Sequence, residues 1–339
     1  MTTLCLAIIA ATLSLCPDST DIYRVQADQF IASGKLSVQQ AQTAAIRKAI
    51  DGKPQALQDI RQGRSQTDYA DHRVRVSQIA PNLRLYTPTT QSSKPRPILL
   101  YLHGGGWCIG SINSCSRYCT ELSASADILI AALDYRLAPE HPYPSALQDI
   151  SQALDYIVSH AQDIGADTTH ISIGGDSSGG NLAIVSSLQT SHPIHSLILY
   201  YPVTNVSRPY EPSWQQYASG YACDAEIMEA FTDAYIPYDE RTLPTVSPLL
   251  LPDADISRLP PTLIVAAERD VLYDQAVEFA KRLRQNQVPV THITLPGSIH
   301  LFITVPHQDA AFHKSVQLAK TFLKDAHRYS CVPGTFPRP

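Results

Sequence analysis

Ile171-Ser172-Ile173-Gly174-Gly175-Asp176-Ser177-Ser178-Gly179-Gly180-Asn181 is the stretch from which the rest of the sequence can be interpreted. The apolar, β-branched run ending at Ile173 predicts a buried strand, and the residues from Asn181 onward predict a helix. Between them lies the pattern G-x-S-x-G, a strained strand-to-helix turn that raises a serine above a parallel sheet. Strand and helix approach so closely there that the flanking positions leave no room for a Cβ atom. Only Ser177 has glycine two residues away on both sides, at Gly175 and Gly179, so it is the predicted nucleophile.

A second glycine-rich stretch, His103-Gly104-Gly105-Gly106-Trp107, directly follows an apolar run at 98–102. Three consecutive glycines leave backbone N–H groups unshielded, so an oxyanion can come within hydrogen-bonding distance of them. A flexible linker would have the same composition, but linkers are rarely placed between a buried strand and a tryptophan. We therefore interpret the stretch as an oxyanion-hole loop, with His103 as its anchor.

Apolar runs that alternate with helical patterns fill most of the chain. Two alternating stretches at 74–76 and 83–86 predict half-exposed antiparallel strands. The later runs predict a mainly parallel α/β sheet with helices on both faces, in which ligands bind at the carboxyl ends of the strands. The predicted strands are 98–102, 128–133, 170–173, 197–200, 263–267 and 290–295, and the predicted helices lie near 114–125, 145–159, 181–189, 273–286 and 309–324.

A nucleophilic serine needs a base, and the base needs an acid to orient it. His300 follows the last predicted strand, where a loop would carry it to the carboxyl edge of the sheet, and Asp270 follows the strand before it. Serine, acid and histidine then occur in the order that G-x-S-x-G hydrolases use. Glu268 and Asp274 remain competitors for the acid. His103 remains a competitor for the base, although its place beside the glycines suits a loop anchor better.

Composition excludes several classes of partner. The chain has 339 residues, 44% of them hydrophobic, which is enough for one large domain or for a core with an inserted lid. A net charge of −5 offers no polycationic surface, so we expect no nucleic-acid partner. No apolar run of membrane-spanning length occurs, so we expect no stable membrane insertion. Seven scattered cysteines without metal-ligand spacing are expected to be reduced and structural, so we expect no metal or other cofactor.

The apolar N-terminal stretch from Leu4 to Cys16 has the length of a signal-peptide core, yet the first basic residue is Arg24. We interpret this stretch as a helix packed on the body of the protein. A cytoplasmic location follows, with export of the protein as the alternative. Helical patterns between residues 21 and 62 precede every strand and are free to fold over the body.

Together these features resemble the hormone-sensitive-lipase-like esterases, a microbial branch of the α/β hydrolases. The resemblance covers about residues 25–325. The segments that carry it are His103-Gly104-Gly105-Gly106-Trp107, Asp134-Tyr135-Arg136-Leu137-Ala138-Pro139-Glu140-His141-Pro142-Tyr143-Pro144, Gly175-Asp176-Ser177-Ser178-Gly179-Gly180, Ser247-Pro248-Leu249, Glu268-Arg269-Asp270 and Gly297-Ser298-Ile299-His300. We interpret the segment from Asp134 to Pro144 as structural.

The resemblance implies the α/β-hydrolase fold with a helical cap, and hydrolysis of short- to medium-chain acyl esters without a cofactor. The residues it implies are the triad of Ser177, Asp270 and His300, and the oxyanion donors Gly104, Gly105 and Ser178. Three positions depart from the family pattern. Ser178 stands where alanine is usual, and Val271 stands where proline is common, and both leave the chemistry intact. Leu301 stands where glycine is usual and would narrow the leaving-group side of the pocket.

The expected domain organisation has a core interrupted by cap segments: cap helices at 1–70, core at 71–204 and 246–328, a second cap segment at 205–245 and a tail at 329–339. The expected partner is a small ester, and a homodimer is possible. Two other functions use the same fold. A non-catalytic ligand receptor, similar to the plant gibberellin receptors, would lack the histidine that His300 supplies here. Acyl transfer to an alcohol or amine would use the same acyl-enzyme.

Overall fold

The computed structural model describes residues 21–33, 37–65, 69–207 and 211–329. The apolar stretch at 4–16 and the predicted tail beyond residue 329 lie outside these ranges. The described helices are α1 (Asp21–Ala32), α2 (Ser37–Ile50), α3 (Gln55–Ser65), α4 (Ser116–Ala126), α5 (Ser145–Ser159), α6 (Ala161–Ile164), α7 (Ser178–Gln189), α8 (Pro212–Gln216), α9 (Ala225–Tyr235), α10 (Asp253–Ile256), α11 (Tyr273–Gln285) and α12 (Asp309–Tyr329). None of the helices in these ranges is both long enough and apolar enough to cross a membrane.

The strands form one eight-stranded sheet in the order β1-β2-β4-β3-β5-β6-β7-β8. They are β1 (Val74–Ala80), β2 (Leu83–Pro88), β3 (Arg96–Leu102), β4 (Leu129–Leu133), β5 (Ala166–Asp176), β6 (Ser196–Tyr200), β7 (Thr262–Arg269) and β8 (Val290–Ile299). Strand β2 is antiparallel to both β1 and β4, and all the pairs from β4 to β8 are parallel. The predicted α/β class and mainly parallel sheet are confirmed.

Helices cover both faces of the sheet, because side chains along each strand alternate between them. Ile98 and Leu100 of β3 belong to the core under α5, α7 and α11. Leu99 and Tyr101, the residues between and after them, belong to the core under α4 and α12. Both faces are therefore apolar, and the polar chemistry is confined to the ends of the strands.

Helix α7 begins at Ser178, three residues earlier than the predicted start at 181, and strand β5 continues to Asp176. Gly179 and Gly180 therefore lie inside the first turn of the helix. A Cβ atom on Gly179 would lie 2.0 Å from the Leu102 carbonyl oxygen, and one on Gly180 would lie 2.9 Å from Pro202. The two glycines allow the helix to begin directly against neighbouring strands. Because glycine has a low helix propensity, the sequence predicted a later start for this helix.

The helices of the two predicted cap segments contact each other and the end of the sheet. Helix α2 packs against α9. The Asp224 N–H group donates to Gln39 Oε1 at 2.9 Å, and Arg47 pairs with Asp233 at 3.2 Å. Helix α1 packs along β8. The division into cap and core at the predicted boundaries stays a prediction.

Candidate active site

The turn between β5 and α7 holds Ser177 in a strained conformation. Its backbone has φ 54° and ψ −117°, a positive-φ conformation that residues other than glycine rarely adopt. Both flanking glycines are sterically required. A Cβ atom on Gly175 would lie 2.5 Å from the carbonyl carbon of Gly179, and one on Gly179 would meet the end of β3. The turn therefore has the close approach expected of a nucleophile elbow.

Ser177, His300 and Asp270 form one hydrogen-bonded line. The Ser177 hydroxyl lies 3.1 Å from His300 Nε2, and His300 Nδ1 lies 2.5 Å from Asp270 Oδ2. The three residues expose only 4%, 2% and 1% of their surface. A carboxylate beside Nδ1 favours the proton on that nitrogen, which leaves Nε2 free to accept one from the serine. The arrangement is that of a nucleophile, its base and an orienting acid.

The acid and the base are each held by further contacts. The Leu272 N–H group donates to Asp270 Oδ1 at 3.0 Å, and the Gln308 amide donates to the His300 carbonyl at 3.1 Å. The imidazole packs against the Tyr201 ring, with 4.3 Å between centroids. These contacts fix the carboxylate and the ring, so little rearrangement is needed before proton transfer.

The competing acids contact other groups. Glu268 Oε2 accepts from the Gly297 N–H group at 2.5 Å, and Asp274 Oδ2 accepts from the Ser213 N–H group at 2.7 Å. The competing base, His103, is buried with its ring stacked on Tyr135 at 4.3 Å and its Nδ1 2.8 Å from the Gly104 carbonyl oxygen. These contacts suit an anchor of the glycine loop rather than a base.

One predicted oxyanion donor is wrong. The Gly104 N–H group donates to Asp176 Oδ1 at 3.0 Å and is therefore not available to a substrate oxyanion. The next two glycines differ, because among the described residues the N–H groups of Gly105 and Gly106 have no acceptor. Both have positive φ, and a Cβ atom on Gly106 would lie 2.0 Å from the Phe231 ring. The available backbone donors are thus shifted by one residue from those predicted.

Ser178 contributes to the same loop through two groups. Its N–H group, the first of α7, has no acceptor in the part of the chain that the structure describes. Its hydroxyl accepts from the Trp107 N–H group at 3.2 Å. Alanine at this position could not make the second contact, so the serine adds a tether between the elbow and the glycine loop.

Asp176 is a site residue that the sequence analysis did not identify. It is buried, and its Oδ1 accepts from both the Tyr101 hydroxyl at 2.9 Å and the Gly104 N–H group. Its Oδ2 has no hydrogen-bond partner among the described residues. Burial raises the pKa of Asp176 to about 6, although the two donors lower it. The sequence signal for this residue was a carboxyl group next to the nucleophile. Its hydrogen-bond partners, Gly104 and Tyr101, lie 72 and 75 residues away in the chain, so no local pattern linked them to it.

The segment from Asp134 to Pro144 supports the glycine loop from behind. The Tyr135 hydroxyl donates to the His103 carbonyl at 2.6 Å, and the Ala138 N–H group donates to the Trp107 carbonyl at 2.9 Å. Arg61 of α3 donates to the carbonyls of Cys108 and Ala138, both at 2.7 Å. These contacts agree with a structural role for the segment.

A cavity of about 330 Å³ lies beside the glycine loop. Gly104, Gly105 and Asp176 line one part of it, and Leu301 and Ile303 form an apolar part. Leu301, the residue that stands where the family has glycine, has φ 71°. It therefore combines a strained backbone with a side chain that narrows this cavity.

Only one group of side chains in the described ranges has the donors and spacing to hold a metal ion, and it involves the triad. Ligand atoms of Cys223, Asp270 and His300 all lie within 4.8 Å of one another, and all three residues are buried. Burial raises the pKa of the Cys223 thiol, and the negative charge of Asp270 raises it further. The four described cysteines, Cys108, Cys115, Cys119 and Cys223, are free thiols.

The chain is similar to several esterases. The alpha/beta hydrolase fold family matches residues 99–304. An ethyl acetate hydrolase of Pseudomonas putida is 37% identical over 229 residues, which cover 65% of this chain and 71% of that protein. Lipase 2 of Moraxella sp. strain TA144 is 32% identical over 259 residues, and the match covers 66% of this chain and 59% of that protein. The solved structure of an ester hydrolase from the metagenome of Lake Arreo is 28% identical and has a TM-score of 0.72, covering 92% of this chain and 99% of that one.

Proposed function

Because the chain belongs to the α/β-hydrolase fold family, in its hormone-sensitive-lipase-like esterase branch, we propose that it acts as a serine carboxylesterase. It hydrolyses short- to medium-chain acyl esters through an acyl-enzyme on Ser177. The observation that carries the proposal is the buried line of contacts from Ser177 through His300 to Asp270.

The reaction has two halves. His300 Nε2 accepts the Ser177 proton as the hydroxyl oxygen attacks the ester carbonyl, and it then gives that proton to the departing alcohol. Asp270 keeps the other ring proton on Nδ1 and stabilises the imidazolium that forms. A water molecule attacks the acyl-enzyme in the second half, again with His300 as the base. Activity therefore requires a neutral imidazole with no proton on Nε2.

The oxyanion of each tetrahedral intermediate accepts from the N–H groups of Gly105, Gly106 and Ser178. Support comes from their lack of other acceptors in the described residues and from the contact of the Trp107 N–H group with the Ser178 hydroxyl, which joins the glycine loop to the elbow. Loss of one such donor costs about 10²–10³ in kcat in other serine hydrolases. Gly104 has a different task, since its contact with Asp176 fixes the loop.

The leaving group occupies the cavity beside the glycine loop, next to Leu301. A cavity of about 330 Å³ is at the lower end of the range for small-molecule sites, which favours small alcohols. The segments at 1–70 and 205–245 act as a cap over the acyl chain, through the described helices α1 to α3, α8 and α9. Each buried CH₂ group contributes about 0.8 kcal/mol until the pocket is filled, which favours short and medium acyl chains.

A series of p-nitrophenyl esters of increasing acyl length tests this function. We expect kcat/KM to rise with chain length, to reach its maximum between acetyl and octanoyl, and then to fall. Ser177→Ala should abolish the reaction, whereas Ser159→Ala, a substitution at the exposed end of α5, should leave it unchanged. Fastest turnover on emulsified long-chain triglyceride, with little on butyrate esters, would identify a lipase instead.

The cytoplasm is the proposed location, supported by the four free thiols in the described residues. Fractionation of cells that express the full chain tests this point, and recovery from the medium or periplasm would contradict it. A homodimer also belongs to the proposal, because β8 is an edge strand of the described sheet, and a second chain can pair with such a strand. Light scattering on the purified protein decides between monomer and dimer.

A further inference from the structure

Cys223 is a buried thiol for which the esterase mechanism has no use. It lies two residues before α9, in the segment between α8 and α9, and exposes 5% of its surface. Its sulfur, a carboxylate oxygen of Asp270 and a ring nitrogen of His300 all lie within 4.8 Å of one another. The acid and base of the proposed triad therefore have a thiol beside them, and the three side chains together could bind a metal ion.

Thiolate, imidazole and carboxylate together form a donor set that Zn²⁺ and its heavier congener Cd²⁺ prefer. Bonds of about 2.0–2.3 Å in tetrahedral geometry place the donor atoms roughly 3.3–3.7 Å apart. The pair of His300 Nδ1 and Asp270 Oδ2, now at 2.5 Å, would open by about 1 Å, and the thiol would move inward by a similar amount. The backbone near Cys223 contains two residues with positive φ, Gly220 and Ala222, at which this segment turns.

We propose that Cys223, Asp270 and His300 form an inhibitory site for a thiophilic divalent cation of the Zn²⁺ class. Bonds form from the cation to Cys223 Sγ, His300 Nδ1 and Asp270 Oδ2. The thiol proton leaves to solvent, the ring proton moves from Nδ1 to Nε2 so that the imidazole stays neutral, and no atom changes its oxidation state. One thiolate and one carboxylate balance the two positive charges, so the buried complex is neutral, which limits its desolvation cost.

Inhibition follows because the cation replaces the proton that Asp270 holds on His300. A neutral ring bound to the cation through Nδ1 carries its proton on Nε2, so it cannot accept the Ser177 proton, and it is fixed in a changed orientation relative to Ser177. This consequence rests on the proposed esterase function. Cation binding itself does not, so the two can be measured separately.

The test is a Cd²⁺ titration followed by the ultraviolet charge-transfer absorbance of the cadmium–thiolate bond and, in parallel, by esterase activity. Ser177→Ala serves as the binding reporter, because it keeps all three ligands without turnover. We expect it to develop the thiolate band, and we expect wild-type activity to fall over the same Cd²⁺ range and to recover with chelator. Mg²⁺, which prefers oxygen ligands, should have no effect at equal concentration.

The variants Cys223→Ser and Cys223→Ala should weaken inhibition by more than about 100-fold and remove the thiolate band from the difference spectrum. Loss of an outer-shell group typically lowers metal affinity by about 10–100-fold, and loss of a direct ligand should lower it further. Cys119→Ala, which removes a buried thiol on α4, is the matched control and should behave as wild type. Unchanged inhibition in both Cys223 variants, or no thiolate band in Ser177→Ala, would overturn the proposal. A thiolate band in Ser177→Ala together with no esterase activity in wild type would leave the cation site standing and refute the proposed function.

Discussion

Replacing Asp176 by asparagine should make the stability of the protein less dependent on pH. Burial raises the pKa of this carboxyl group from its ordinary value of 3.8 to about 6, so the folded state binds the proton more tightly than the unfolded chain does. The stability that results is fully present below pH 3.8 and is lost as the pH rises through about 6. By linkage, the free energy of unfolding should contain about 1.4 kcal/mol more from this group at pH 5 than at pH 8.

Asparagine suits this test because it keeps the shape and the acceptor oxygen that the Tyr101 hydroxyl and the Gly104 N–H group need, and it carries no charge. Urea unfolding of both proteins at pH 5 and pH 8 gives the two free-energy differences. Relative to wild type, Asp176→Asn should gain about 1.4 kcal/mol on going from pH 5 to pH 8. Asp163→Asn, at an exposed aspartate of α6, is the control and should follow wild type. An Asp176→Asn difference that is the same at both pH values would refute the reasoning.

Three further predictions concern the site. Asp270→Asn should lower kcat by about 10⁴, because asparagine favours the wrong imidazole tautomer, whereas Glu268→Gln should retain activity. Steady-state kinetics check this, and the reverse result would move the acid to Glu268. Ser178→Ala should retain most of kcat but lower the free energy of unfolding by about 1–3 kcal/mol, because the buried Trp107 N–H group loses its acceptor. Urea unfolding checks this, and unchanged stability would show that the contact between Ser178 and Trp107 does not stabilise the loop. Leu301→Gly should relieve the positive φ and shift preference toward bulkier alcohols, measured as kcat/KM across butyrate esters of methanol, isopropanol and tert-butanol. An unchanged preference would exclude Leu301 as a wall of the leaving-group site.

Local patterns were sufficient to predict the strands and the elbow. The flanking glycines of Ser177 predicted a close contact, and the structure has it between Gly179 and the carbonyl of Leu102. Chain order and position after a strand made Asp270 and His300 candidates, since parallel strands bring their carboxyl ends to one edge. Glu268, Asp274 and His103 stayed open as competitors until the family resemblance implied the triad. These signals depend on a few neighbouring residues and on the topology of the sheet.

Other features depend on contacts between distant residues and carry no local pattern. Gly104 looks the same in sequence as Gly105 and Gly106, and only the position of Asp176 at the end of the neighbouring strand β5 removes its N–H group from the oxyanion hole. Cys223 likewise belongs to a segment without a chemical motif, and it becomes relevant only where the fold brings it to Asp270.

The central claim is that Ser177 carries the acyl group, and the acylated residue can be identified directly. The protein is mixed with p-nitrophenyl butyrate, quenched in acid within the first turnover, digested and sequenced by tandem mass spectrometry. The account predicts a butyryl ester on Ser177, burst release of one p-nitrophenol per active site, and neither signal in Ser177→Ala. A butyryl group on Ser178 or on any other residue, or undiminished turnover in Ser177→Ala, would contradict it.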